Sequence, residues 1–260
     1  MCAATEPLRN DKRLKLKILA CKIIERELAT VAADCPNILD ISTIRQKYHV
    51  TPRKLNALLQ EEIDRIDSGE DPHSDEGEFD AIVVGYGLCS NTIAGLTSKK
   101  YRLVIPRAHD CITFFLGGKE KYAEIYLKHP GTFFYSRAWA EILPDQSEDM
   151  LKRKYEEYMQ KYQDEDTVDY LMDIEREMLK NYSALLYITC PGSREEEQKS
   201  TVAALAGARG WKYSETEGSM KLMQKMVDGD WDSDEFLIVE PGQTVQSTGD
   251  DRIIDSVPLL

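Results

Sequence analysis

The chain has 260 residues and sets 33 Lys and Arg against 46 Asp and Glu, a formal net charge of −13. That balance disfavours nucleic acid or an anionic membrane surface as the main partner, because neutralising phosphates takes a basic face. With 42% apolar and 30% charged residues, the composition suits one large α/β domain or two small ones, and no apolar run approaches the roughly 18 to 20 residues that cross a bilayer.

Residues 1–12 read as a mobile arm without the basic-then-apolar order of a secretory signal, so a reducing, cytoplasmic setting is expected. The six cysteines, Cys2, Cys21, Cys35, Cys89, Cys111 and Cys190, then read as thiols, metal ligands or packing groups rather than a disulfide framework. Leu14–Leu19 alternates and turns apolar, which predicts a strand ending at Ala20-Cys21. Ile24, Leu28 and Val31 share a face, predicting a helix over Cys21–Ala33. Asn37–Ile41 reads as a short strand. Thr51 and Pro52 read as the N-cap and first position of a helix, along which Leu55, Leu58, Leu59, Ile63 and Ile66 keep helical spacing. A loop follows over Ser68–Glu78.

Ala81–Val84 and Leu103–Ile105 are short apolar runs, the kind of strand that is buried on both faces. A short helix is expected after each. Further along, the pattern predicts a helix over Glu120–His129 and a strand over Thr132–Tyr135. A long helical stretch over 147–180 breaks near Asp164–Asp166. Then come a strand at Ser183–Thr189, a helix at Glu196–Gly207 and a strand-like passage at Gly210–Ser214. The short helix Met220–Val227 points Leu222, Met223 and Met226 inward, as core. Phe236–Val239 reads as the last strand, and residues 247–260 as a tail. These elements predict an α/β fold: a largely parallel open sheet flanked by helices, Rossmann-like and three-layered, with a helical insertion around 147–180. Residues 13–246 form one domain, or two α/β halves (13–145 and 181–246) joined by those helices.

Both central strands run into polar, reactive loops: Gly85-Tyr86-Gly87-Leu88-Cys89-Ser90-Asn91 and Pro106-Arg107-Ala108-His109-Asp110-Cys111. Ligands of open α/β sheets sit outside the carboxyl ends of the strands. Cys21, Cys89, Cys111 and Cys190 each stand at or just past the end of an apolar run. If the sheet is parallel they share one edge, where neighbouring strands lie about 4.8 Å apart. Thiolate and imidazole suit a soft or borderline metal. Cys21, Cys89 and Cys111, with His49 or His109, are therefore candidate metal ligands, for zinc first and an iron–sulfur cluster second.

Gly85, Tyr86, Gly87 and Asn91 do not complete a G-x-G-x-x-G, but a tight turn there can offer N–H groups to an anion. Arg107 could orient a carboxylate or phosphate on a small-molecule ligand, although a structural Arg–Asp pair explains it more simply. Two rival readings remain. In one, Cys111 or Cys89 is a nucleophile, with His109 and Asp110 beside Cys111 and the Gly85–Asn91 amides at an oxyanion. In the other, the thiols merely pack and the acidic helices dock a partner protein.

The segments LACKIIEREL, HVTPRKL, FDAIVVGYGLCSNTIAGL, LVIPRAHDCITFFLGGKEKY, HPGTFFYSRAW and DGDWDSDEFLIVEPGQ together resemble the prokaryotic domain-of-unknown-function family numbered 1638. The resemblance implies an anaerobe and proximity to corrinoid-dependent methyltransferases. A corrinoid protein or a methyltransferase is thus the implied partner, and any corrinoid would come through it. The matching positions are Cys21, His49, Cys89, His109, Asp110 and Cys111, while Cys2, Cys35 and Cys190 fall outside the matching segments.

Overall fold

Strand β1 (Lys15–Cys21) is buried over all but its first residue and passes without a loop into a single 3-10 turn and helix α1 (Glu25–Ala33), so Cys21 is its last extended residue. The computed structural model describes residues 13–45, 51–71, 78–142 and 148–259. It places the chain in two compact units, Met1–Lys121 with Ser219–Leu260, and Tyr122–Gly218. The fold is mixed α/β, with a largely parallel central sheet flanked by helices.

In the first unit, β2 (Ile38–Ile44), β1, β3 (Ala81–Gly85), β4 (Leu103–Pro106) and β8 (Phe236–Val239) form one sheet in that order. The first four are parallel, and β8 closes the sheet antiparallel to β4. Every residue of β3 and β4 is buried, as expected of parallel strands covered on both faces. From β1 the chain crosses to β2 on one side, and from β3 it proceeds to β4 on the other. The point where the order reverses lies between β1 and β3, and this is where open α/β sheets bind their ligands.

Helix α2 (Pro52–Ser68) begins with Pro52 at its first turn, buries Leu55, Leu59, Ile63 and Ile66, and ends at Gly69 in the left-handed region (φ 74°). Thr51 precedes it but makes no side-chain cap. Lys17 is fully buried inside β1. Its ammonium pairs with Asp40 of β2 at 3.0 Å and with Asp71, just beyond α2, at 2.6 Å. α9 (Lys221–Asp228) packs on α1 and buries Leu222, Met223, Met226 and Val227.

Two local expectations are corrected in this unit. No helix follows β3. Cys89, Ser90 and Asn91 instead take positive φ (42°, 59° and 66°), which is incompatible with a right-handed helix, and the segment continues as turns. The residues after Ser247 are no tail either, because β9 (Gln243–Ser247) and β10 (Ile254–Pro258) form an antiparallel hairpin. The Arg107 guanidinium fastens it, donating to the carbonyls of Arg252 (2.8 Å) and Ile254, while its Nε donates to Ser233 (3.0 Å).

In the second unit, β5 (Thr132–Ser136), β6 (Ala184–Thr189) and β7 (Lys212–Glu217) form a separate parallel sheet. Its core gathers Tyr135, Leu185, Tyr187, Val202 and Ala206 with half-buried Phe133 and Trp211, drawing on α5 (Arg137–Ile142) and α8 (Glu196–Ala208). The acidic break falls where expected: α6 (Glu148–Tyr162) ends, and Asp164 caps α7 (Glu165–Lys180) by accepting the Thr167 amide at 3.0 Å. Because β6 belongs to this sheet, Cys190 does not share an edge with the other three thiols. Among the described residues no helix is long and apolar enough to cross a membrane.

Candidate functional site at the carboxyl ends of β1, β3 and β4

The parallel register sets Cys21 one residue beyond Ala20, which pairs with Gly85. Gly85 is needed there, since a Cβ on it would meet the Ala20 Cβ at 3.0 Å. β3 and β4 then end alike. The Tyr86 amide donates back to Val84 (2.8 Å) and the Ala108 amide to Pro106 (2.9 Å), a three-residue turn common at strand ends. The two loops afterwards run side by side, with Leu88 N–H on the Ala108 carbonyl (2.8 Å) and Cys89 N–H on that of His109 (2.9 Å). Gly87 makes this approach possible, because a Cβ there would stand 2.7 Å from the Asp110 backbone.

Next comes the strained element, three successive non-glycine residues at positive φ, Cys89 to Asn91. Each costs on the order of 1–2 kcal/mol, so the surroundings must hold them. Thr92 does so from within, its hydroxyl donating to the Cys89 carbonyl at 2.7 Å. Asn56 of α2 does so from outside, its amide donating to the carbonyls of Thr92 (2.7 Å) and Ala94 (3.0 Å). Strain of this kind clusters at functional sites.

At this edge lie Cys21, Tyr86, Cys89 and Cys111, all buried. The Tyr86 hydroxyl makes no full hydrogen bond to nitrogen or oxygen. Its contact is the Cys21 thiol, with Cys89 close by, and burial foremost drives its ionisation far above the ordinary range. Cys21 is pushed up to about 11 by burial, against the opposing pull of the Ile23 amide and the Tyr86 hydroxyl. Cys89 is pushed up to about 12, by burial first and then by its neighbours Asp110 and Cys21, while the amides of Gly87 and Cys111 point at its sulfur and oppose the rise. Both are thiols at neutral pH.

Of the residues singled out from sequence, the structure therefore brings Cys21, Tyr86, Gly87, Cys89, Asp110 and Cys111 to one edge. His109 is exposed while its neighbour Cys111 is buried. Asp110 caps α3 (Cys111–Leu116), accepting the Ile112 amide at 2.9 Å. Arg107 binds backbone carbonyls, as described above, and Asn91 is exposed. His49 lies outside the described residues. Among the described residues, no three His, Cys, Asp or Glu side chains are placed to hold a metal ion. Sequence reading places the Gly87 amide among the Gly85–Asn91 donors, but it misses the amides of Ile23 and Cys111, which leave no side-chain signal. It also misses Asn56, whose one mark is a polar residue beside the apolar stripe of α2.

The sheet order and this edge define an open α/β protein with buried thiols at the strand ends flanking its topological switch point. The comparisons with known proteins agree with the resemblance in the motifs. The chain belongs to the family described as "Protein of unknown function (DUF1638)", which matches residues 43–227. No curated protein and no solved structure matches it.

Proposed function

We propose that the carboxyl edge of the first sheet binds a soft or borderline cation through Cys21 and Cys89, either as a bare ion or as the metal of a larger cofactor. The observation that carries this reading is the setting of Cys89: a buried sulfur with two backbone amides aimed at it, beside the Asp110 carboxylate and a second buried thiol, Cys21. Amides pointing at sulfur favour the thiolate, and burial without positive charge forbids it. A bound cation resolves the conflict by displacing the proton. The donor chemistry fits such an ion: two buried thiols, plus a phenol hydroxyl without a full hydrogen bond.

Zinc is the first choice of ion and an iron–sulfur cluster the second. Cys111, His109 and His49 are the reserve of further ligands, and a cofactor or partner can complete the sphere. Methyl-transfer metabolism beside a corrinoid protein is the setting we attach to this, on the strength of the family resemblance. The nucleophile reading is the weaker one, because the reactive form of cysteine is the thiolate and Cys89 is pushed the opposite way.

Metal analysis of protein purified without air tests the proposal. About one equivalent per chain is expected in the wild type and in Cys190→Ser, and much less in Cys21→Ser and Cys89→Ser. A wild type free of metal, or metal that survives both substitutions, would overturn it.

A further inference from the structure

Helix α7 is apolar on two sides. Val168 and Met172 are buried, and Glu175 faces α6, where Lys154 (2.5 Å) and the Tyr158 hydroxyl (2.8 Å) hold it. On the opposite side Tyr170, Ile174 and Met178 repeat at every fourth residue, and they are 67%, 40% and 55% exposed. They line a shallow groove of about 510 Å³ that Asp173, Glu177 and Asn181 complete. Isolated apolar side chains on a surface need no explanation, but a continuous helical stripe does. One turn of propensity cannot account for it, since α7 is already anchored by its inner face.

We infer that this outer face of α7 docks an amphipathic helix with a lysine- or arginine-rich border, carried by another protein. Charge decides the occupant. α7 carries Glu165, Asp166, Asp169, Asp173, Glu175 and Glu177 against Arg176 and Lys180. The acids beside the groove are held by exposed partners on the same helix, Asp173 by Arg176 and Glu177 by Lys180. Such pairs contribute little and exchange readily for the cations of a partner. A second copy of this chain is the poorer occupant, because antiparallel pairing of two α7 helices would set one acidic border against the other in a chain of net charge −13. A basic helix offers an apolar stripe and the complementary charge together, the helix-in-groove mode of recognition.

The test uses the full chain and two synthetic helical peptides of about five turns, both leucine-striped, one bordered by lysine and the other by glutamate. The lysine peptide is expected to bind, and the glutamate peptide to bind at least roughly tenfold more weakly. A triple Tyr170→Ser, Ile174→Ser, Met178→Ser chain keeps every charge and removes the stripe. It should lose at least roughly tenfold in affinity for the lysine peptide while its circular dichroism is unchanged. If the triple variant binds as well as the wild type, the attraction is charge alone and the inference fails. It fails equally if neither peptide binds, or if sedimentation shows a dimer of the chain that Ile174→Ser dissociates.

Discussion

Replacing Gly87 by alanine tests the close approach of the two loops that seats Cys89. The added Cβ would sit 2.7 Å from both the Cα and the amide nitrogen of Asp110 and 3.0 Å from the Ala108 carbonyl oxygen. Unstrained carbon contacts lie at about 3.5–4.0 Å, so the two loops would have to part by roughly 1 Å, and all three obstructing atoms are backbone that cannot rotate away. Overpacking of this kind costs about 1–3 kcal/mol. Weakening the Leu88–Ala108 and Cys89–His109 hydrogen bonds adds about 0.5–1.5 kcal/mol each, and the stiffer unfolded chain returns about 0.4–1. The net is a loss of about 1–6 kcal/mol, centred near about 3, seen in urea as a midpoint lower by roughly 1 M. Gly207→Ala is the contrast. That glycine lies on the exposed side of α8 with nothing within 4 Å of a built Cβ, and alanine there should stabilise by about 0.5–1 kcal/mol. Iodoacetamide should also reach Cys89 faster in Gly87→Ala as the loops separate. A Gly87→Ala protein with the wild-type midpoint and wild-type alkylation rate would refute the reasoning.

Three further outcomes follow from the same structure. Arg107→Met removes the donors that three backbone carbonyls of the C-terminal segment accept; the expected cost is about 2–4 kcal/mol, with faster hydrogen exchange over Gln243–Pro258, and unchanged exchange there would deny Arg107 its fastening role. Cys21 and Cys89 of metal-free protein should alkylate slowly at pH 7 and accelerate only toward the values they are pushed to, about 11 and about 12. Their folded values lie above the unfolded one, so the stability they contribute is complete below the unfolded thiol value of about 8.5 and is lost as pH rises from there through the folded values; a Cys89→Ser chain should show a shallower alkaline decline, and an identical decline would contradict this. Lys17→Met leaves Asp40 and the buried Asp71 carboxylate without their ammonium, at a cost of about 3–5 kcal/mol; adding Asp71→Asn should recover part of it, and a Lys17→Met protein as stable as the wild type would contradict the pairing.

What was legible in the sequence was local. Apolar runs such as Ala81–Val84 became strands, and the Thr51-Pro52 pair marked the start of α2, because both depend on neighbouring residues alone. The turn after β3 was not legible. Of Cys89, Ser90 and Asn91 only asparagine has any taste for positive φ, and the conformation is imposed by Asn56 and Ala108–His109, which are distant in sequence. The hairpin at the C-terminus was hidden for a similar reason. Gln243–Ser247 alternates too weakly to declare itself, and it is held by pairing with Gly95 and Leu96 and by the Arg107 clamp.

The cysteines show the same division between local and distant causes. Cys190 follows an apolar strand just as Cys21 does, yet it stands in another sheet, since nothing within Ala184–Thr189 states which strands it will join. Cys21 and Cys89 meet because β1 and β3 are neighbours although β2 lies between them in the chain. The chain leaves β1 toward β2 and β3 toward β4, in opposite directions along the sheet, so these two strand ends flank the point where the strand order reverses. The thiols delivered there are buried. Cys21 is placed there by β1 running straight into its helix without a loop, and Cys89 by a strained turn folded against the next strand's loop. The position of this thiol cluster follows from the strand order, and its chemistry from which side chains the sequence happens to carry at those two strand ends.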